Sequence, residues 1–326
     1  MTRDHQIIIK NIRIQALSDT LVRLEERSSG AFEDRITFTV LDRDFPKPAC
    51  TVFEDEEGNH LKTGNFTVIV PHGGDSLAGV SVESADGELL YRYEGSLPPV
   101  INMPAPSDRF RSWAMADSPR LVPPPWGATP PPMAAGDQPD SGWQVDQDAI
   151  DIYIFIPGEG GYKQFRQDFL KLTGPVPLPP QFIFGLTDSR YHPYSEETAL
   201  DTIDTYRAKD IPLDIFVMDT DWRAGASHGY QINEKLFPDM RAFIKKAHSR
   251  NVRLMFNDHP EPYGDSFLDP AEIQYRYEGL TSLLQMGADL WWYDRNWMTH
   301  LHDPPAGLPR DVWGQRLYRD ITRRYQ

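Results

Sequence analysis

A chain of 326 residues with 40% hydrophobic content is long enough for two domains or one large one, with a sizeable core. Its formal net charge of -15, from 48 acidic against 33 basic residues, argues against non-specific nucleic-acid binding, which needs clustered Lys and Arg. The one cysteine, Cys50, excludes an internal disulfide and a cysteine-based metal cluster; the N-terminus has no apolar signal segment and no apolar run approaches a membrane span, so a cytoplasmic protein is expected.

The first half reads as short strands separated by turns. Apolar residues recur through Ile7-Ile8-Ile9 and Ile12-Arg13-Ile14, then Leu21 to Leu24, Thr37 to Val40, Asn65 to Val70, Val80 to Val82 and Leu89 to Tyr91. Ser28-Ser29-Gly30, Gly58-Asn59 and Asp86-Gly87 supply the turns. This spacing predicts an all-β sandwich over residues 1–172, with Glu83, Glu88 and Glu94 on solvated faces. From about residue 97 to 135, prolines such as Pro98-Pro99, Pro123-Pro124-Pro125 and Pro130-Pro131-Pro132 forbid regular ladders. Trp113, Met115 and Trp126 are interspersed there, and a disordered linker would carry few aromatics, so an ordered excursion is expected. Ala149 to Ile156 then reads as a strand, Gly158 to Gly161 as a turn and Tyr162 to Leu172 as a helix. Thr173 to Pro180, with four prolines, forms a stiff boundary.

After it the rhythm changes to strand, helix, strand, helix. Phe182 to Leu186 is the first strand, and a helix follows from Ser195, with Glu196 and Glu197 in its first turn, to about Lys209. Ile215 to Met218 is the second strand, closed by Asp219-Thr220-Asp221-Trp222, and Pro238 opens a helix to about Arg250. Val252 to Phe256 is the third, closed by Asn257-Asp258-His259-Pro260. Asp269-Pro270-Ala271-Glu272 combines an Asp cap, Pro at the first position and a reaching Glu, starting a helix to about Met286. The aromatic run Leu290 to Tyr293 is the fourth strand, followed by Asp294-Arg295-Asn296-Trp297, and Pro309 starts a last, basic helix. Alternating units of this length predict a parallel sheet with helical cover. Polar strand ends near Asp188, Asp219, Asp258 and Asp294 then fall on one edge, where barrel enzymes present catalytic groups.

Carboxylates beside aromatics point to sugar. Trp222, Trp291, Trp292 and Trp297 offer flat apolar faces for pyranose C–H groups, and Asp219 and Asp258 could accept hydroxyl protons. Glycoside cleavage needs two carboxyl groups flanking the bond. Each residue also has a plainer reading. Asp294 could cap the next helix or pair with Arg295, and the tryptophans could be core. His259 could bind a sugar hydroxyl or join Asp258 on a metal, but adjacent residues rarely ligate one ion, so no metal site is expected. There is no GxGxxG, P-loop or Ser nucleophile elbow, and no cofactor is expected.

Thr173-Gly174, Pro179-Pro180-Gln181, Phe184-Gly185 and Ser189-Arg190-Tyr191 resemble the start of the catalytic barrel in family 31 of the glycoside hydrolases. So do Asp210-Ile211-Pro212-Leu213-Asp214, Val217-Met218-Asp219-Thr220-Asp221-Trp222 and Phe237-Pro238-Asp239-Met240. The resemblance covers roughly residues 173–300. It implies an α-glucosidase-like or α-xylosidase-like enzyme, with an N-terminal β-sandwich followed by a (β/α)8 TIM barrel of which residues 173–326 are the first four βα units. It implies that Asp294 is the nucleophile of a retaining mechanism and that Asp219 binds a sugar hydroxyl in the -1 subsite. Asn257, Asp258 and His259 stand at the strand tip that lines the same subsite by this resemblance, with Tyr191, Trp222, Arg295 and Trp297 as further substrate-binding candidates. Two stretches depart from the family pattern: Asp258-His259-Pro260 replaces a more apolar run, and Arg295-Asn296-Trp297 stands where many members have Met-Asn-Glu.

Family members carry the acid/base Asp on a later strand, so the chain is expected to be a fragment of a longer protein. Its expected partners are a carbohydrate substrate and either the second half of the barrel or another copy, since a half barrel leaves an open strand edge. Two alternatives remain: a non-catalytic carbohydrate-binding or assembly protein built on a truncated glycosidase, and a metal-dependent barrel lyase or isomerase.

Overall fold

The computed structural model describes residues 5–117, 120–122, 143–225, 228–294, 301–304 and 308–325. Two compact units part between Val176 and Pro177.

The first unit holds two five-stranded antiparallel sheets. One has the order β1 (Gln6–Ile9), β2 (Ile12–Ser18), β3 (Leu21–Arg27), β12 (Ala149–Phe155), β9 (Trp113–Ala116). The other is a meander of β4 (Thr51–Glu54), β5 (Gly58–Lys62), β6 (Phe66–Pro71), β7 (Ser81–Ser84) and β8 (Leu89–Arg92). A short ribbon pairs β10 (Arg120–Val122) with β11 (Gln144–Asp146). One apolar cluster draws Ile14, Leu24 and Ile152 from the first sheet and Phe66, Val68 and Val82 from the second. Strand β6 alternates buried and half-buried residues along its length, as a strand with one core face must. Strand β12 is buried on both sides: Tyr153 and Phe155 turn away from that cluster onto Phe165, Phe169 and Leu172 of α1 (Gly161–Thr173). Arg23, Glu25 and Asp151 also lie fully buried, with Arg23 Nε donating to Asp151 Oδ1 at 2.8 Å. Burial is tolerable there because the charges face one another.

Three local expectations are corrected here. Thr37 to Val40 is not a strand. The Thr37 N–H closes a turn onto the Val40 carbonyl at 2.8 Å, and the Thr37 and Thr39 hydroxyls donate to the carboxylate of buried Asp117. Gly58-Asn59 is not the turn but the start of β5; the turn is Asp55 to Gly58, whose φ of +152° and close approach to the Val70 carbonyl require glycine. Trp113–Ala116, inside the proline-rich stretch, is a ladder strand on β12. Trp126 and the prolines from 123 to 132 lie outside the described residues.

The second unit carries a parallel sheet in sequence order, β13 (Thr187–Asp188), β14 (Ile215–Met218), β17 (Arg253–Asp258), β18 (Leu290–Tyr293). Its crossovers contain α2 (Glu196–Ala208), α3 (Met240–His248) and α4 (Pro270–Met286), and α5 (Arg310–Tyr325) follows β18. Sequential order in a parallel sheet is what repeated βα units produce. The caps are chemical. Ser195 Oγ accepts the Thr198 N–H, Asp239 accepts from Ala242, and Asp269 accepts from Ala271 with Pro270 at the first position. Glu272 does not reach back to a cap; it is buried and its Oε1 accepts from Arg276 Nε at 2.6 Å. The expected strand at Phe182 to Leu186 is a 3-10 turn over Gln181–Phe184, tied by Ile183 N–H to Pro180 O at 3.1 Å, and pairing begins only at Thr187. A hairpin of β15 (Arg223–Gly225) and β16 (His228–Ile232) leaves the end of β14 and was not foreseen. Among the described residues, no helix is long and apolar enough to cross a membrane.

Candidate active site

The site lies at the C-terminal ends of β14, β17 and β18. All four residues of β14 are buried, so the chain leaves the core abruptly at Asp219. Asp219 caps the 3-10 turn Thr220–Trp222, its Oδ1 accepting the Thr220 N–H at 2.8 Å. Burial raises the Asp219 pKa, the charges of Asp294 and Asp221 raise it further, and the Thr220 N–H and His259 oppose them. A carboxylate held up in this way is a stronger acceptor for a hydroxyl proton.

The end of β17 presents alternate side chains to opposite faces. Asn257 and His259 share one face. Asn257 Nδ2 donates to Asp294 Oδ2 at 3.0 Å, and His259 Nε2 meets the same oxygen at 3.0 Å. The Asp294 N–H donates to the Asp258 carbonyl at 2.9 Å, carrying the parallel ladder one residue past β18. Asp294 is therefore fixed at both backbone and side chain.

Asp258 points to the other face and is corrected as a sugar ligand. It is 3% exposed; Oδ1 accepts from Arg223 Nη1 at 2.8 Å, and Oδ2 accepts the hydroxyls of Tyr230 at 2.8 Å and of Tyr318 on α5. Trp222 is corrected likewise. At 1% exposure it is core, with Nε1 donating to the Asn257 carbonyl at 2.9 Å and its ring 4.5 Å beneath the Arg223 guanidinium. Tyr191 stands 82% exposed, away from any described partner ring. Arg295 and Trp297 lie outside the described residues. Of the candidates read from sequence, the structure thus gathers Asp219, His259 and Asp294. Asn257, from the same strand tip, joins His259 on Asp294. Among the described residues, three potential metal ligands gather only at Asp55, Glu57 and His60 in the first unit, where His60 Nε2 already meets Asp55 Oδ1 at 2.7 Å.

Parallel strands that deliver carboxylates at their C-terminal ends define an α/β enzyme scaffold. Residues 176–266 match the model of the glycosyl hydrolases family 31 TIM-barrel domain. Alpha-xylosidase XylQ of Lactiplantibacillus pentosus is 37% identical over 95 residues, 28% of this chain and 12% of that protein. Alpha-glucosidase 2 of Bacillus thermoamyloliquefaciens is 29% identical over 110 residues, 33% of this chain and 13% of that protein. A GH31 alpha-xylosidase from a soil metagenome, solved with xylose, superposes with a TM-score of 0.61 at 12% identity, covering 99% of this chain and 64% of that one. The GH31 alpha-xylosidase of Xanthomonas citri gives a TM-score of 0.60 at 12% identity over 89% of this chain and 57% of its own. Over residues 176–266 the chain thus matches the barrel domain of glycoside hydrolase family 31, and it spans only part of the length of those enzymes. The family match ends before β18 and does not reach Asp294.

Proposed function

We propose that this chain carries the sugar-binding and nucleophilic part of a retaining α-glycosidase acting on α-linked glucosides or related sugars such as xylosides. Asp294 is the nucleophile and Asp219 holds a hydroxyl of the sugar being transferred. The observation that carries this reading is the carboxylate of Asp294 at the C-terminal end of a parallel strand, one oxygen held by Asn257 of the neighbouring strand and by His259 just past its end. Attack forms the C1–O bond, the leaving group departs with its electron pair, and a covalent glycosyl-enzyme remains for water to cleave.

We read the two sheets of the first unit as a β-sandwich and the four parallel strands of the second as half of a (β/α)8 barrel. Among the described residues β13 and β18 pair on one side only, so further strands, from a continuation of the chain or from a second copy, would close the sheet. The relatives' names, alpha-xylosidase and alpha-glucosidase, support the substrate class.

The test is intact mass after incubation with 5-fluoro α-glucosyl and α-xylosyl fluorides. Fluoride leaves with little protonation, so labelling does not depend on an acid group. The expected result is one glycosyl unit added and mapped to Asp294, and none on Asp294→Asn. A folded chain that gains no mass, or gains it elsewhere, overturns the nucleophile assignment.

A further inference from the structure

The two donors on Asp294 have a consequence for the second half of the reaction. A carboxylate oxygen only accepts, so both partners must present N–H: the Asn257 amide through Nδ2 and the His259 imidazole through Nε2. Both reach the same atom, Oδ2, at 3.0 Å. Asn257 is fully buried, and its backbone carbonyl is held in turn by Trp222 Nε1 and by Arg223. The donor is thus preorganised by packing. Turning the amide over would set Oδ1 against the carboxylate; as it stands, Oδ1 is buried with no partner among the described residues. An orphaned buried acceptor calls for a reason, and aiming Nδ2 at Asp294 supplies one.

We propose that Asn257 and His259 act as positioning residues that favour the free carboxylate of Asp294 over its glycosyl ester, and so speed breakdown of the covalent intermediate more than its formation. This rests on the assignment of Asp294 as nucleophile. In the first step the other oxygen of Asp294 bonds to the anomeric carbon and the leaving group takes the bonding pair. Oδ2 then becomes the carbonyl oxygen of a neutral ester. Hydrogen bonds to an ionised acceptor are roughly twice as strong as to a neutral one, so both donors weaken as the ester forms. In the second step a nucleophile bonds to the anomeric carbon, the ester C1–O bond breaks, and its electron pair returns to the carboxylate. Both donors strengthen along that path. Two N–H groups aimed where charge develops lower the barrier of the step in which the charge appears.

The experiment follows the 5-fluoroglycosyl adduct by intact mass, first its formation and then, after removal of excess reagent, its breakdown in azide. Azide attacks without needing a base. His259→Ala and Asn257→Ala should form the adduct at a rate equal to or above that of the unchanged chain. They should lose it roughly 100-fold more slowly, the lower end for removal of one preorganised donor. His259→Gln, which keeps an amide N–H, should restore part of the breakdown rate. A merely structural loss would slow both steps alike; equal slowing, or unchanged breakdown, overturns the proposal. If Asn257→Ala does not fold, the two His259 variants carry the test. An unchanged chain that never labels Asp294 sinks the nucleophile reading together with this one, whereas labelling with unaltered breakdown in the variants sinks only this one.

Discussion

Asp117 shows how far one buried group can tie this fold to pH. It is 2% exposed, with the hydroxyls of Thr37 and Thr39 donating to its two oxygens. Burial first, then the charge of Asp151, raises its pKa from the ordinary 3.8 to about 6, against the pull of both hydroxyls and of Arg43. The folded chain therefore holds this proton more tightly than the unfolded chain does. The resulting stability is complete below the unfolded value, and it is lost as pH rises through about 6. A shift of this size corresponds to about 3 kcal/mol at most. Asp117→Asn keeps an acceptor for a threonine hydroxyl and removes the titration. Urea unfolding should show the unchanged chain losing up to about 3 kcal/mol more than the variant between acidic and mildly alkaline pH. Parallel stability profiles would show that Asp117 does not govern the change. At this same scale the sequence discloses Asp219 and Asp294, because each directly follows a buried or half-buried strand. It does not disclose the face to which each tip residue turns. Asp258 and Trp222 carry the right chemistry for a sugar site and turn into the core instead, because Arg223, Tyr230 and Tyr318 take both oxygens of Asp258.

Elements meet around that buried carboxylate. Arg223 on β15, Tyr230 on β16, Asp258 on β17 and Tyr318 on α5 form one hydrogen-bonded group, and Arg276 of α4 donates to Tyr230 Oη at 3.1 Å. Arg223→Met would remove the cation bonded to Asp258 Oδ1, and truncating one partner of a buried pair costs about 3–5 kcal/mol. Urea unfolding should report that loss; a change within the range of a surface substitution would mean that water or another cation replaces the guanidinium. Gly279 of α4 lies against the ring of Tyr230, so that a Cβ there would collide with it. Alanine gains about 1 kcal/mol of helix propensity over glycine, whereas overpacking costs about 1–3 kcal/mol. Gly279→Ala should therefore destabilise, and a rise in Tm would show that Tyr230 moves aside freely. Helices were legible in advance because their ends are written in side-chain chemistry, as at Ser195 and at Asp269-Pro270. The β15–β16 hairpin was not, because its residues, Arg-Ala-Gly and His-Gly-Tyr-Gln-Ile, carry no apolar alternation. The strand expected at Phe182 to Leu186 has strand-like residues, but the turn after Pro180 claims their backbone groups.

At the scale of the whole chain, the βα rhythm after residue 176 was readable because each unit repeats the same order of apolar run, polar tip and capped helix. What covers the outer side of the sheet is not written in that rhythm. Strand β13 is two residues long and pairs only with β14 among the described residues. Phe184 is 72% exposed just before it and Leu178 is 88% exposed a few residues upstream. A short strand blunts an edge, but exposed apolar side chains beside it invite pairing with another chain. Against this stands the net charge of -15, which pushes copies apart. Salt decides between them: the screening length is about 10 Å at 0.1 M and about 3 Å at 1 M, whereas apolar contact is not screened. Sedimentation velocity should therefore show self-association that grows with protein concentration and with salt. A Phe184→Lys, Leu178→Lys double variant should remain monomeric under the same conditions. If salt dissolved the association instead, ionic contacts would be holding the copies together, and the apolar residues beside β13 would need another explanation.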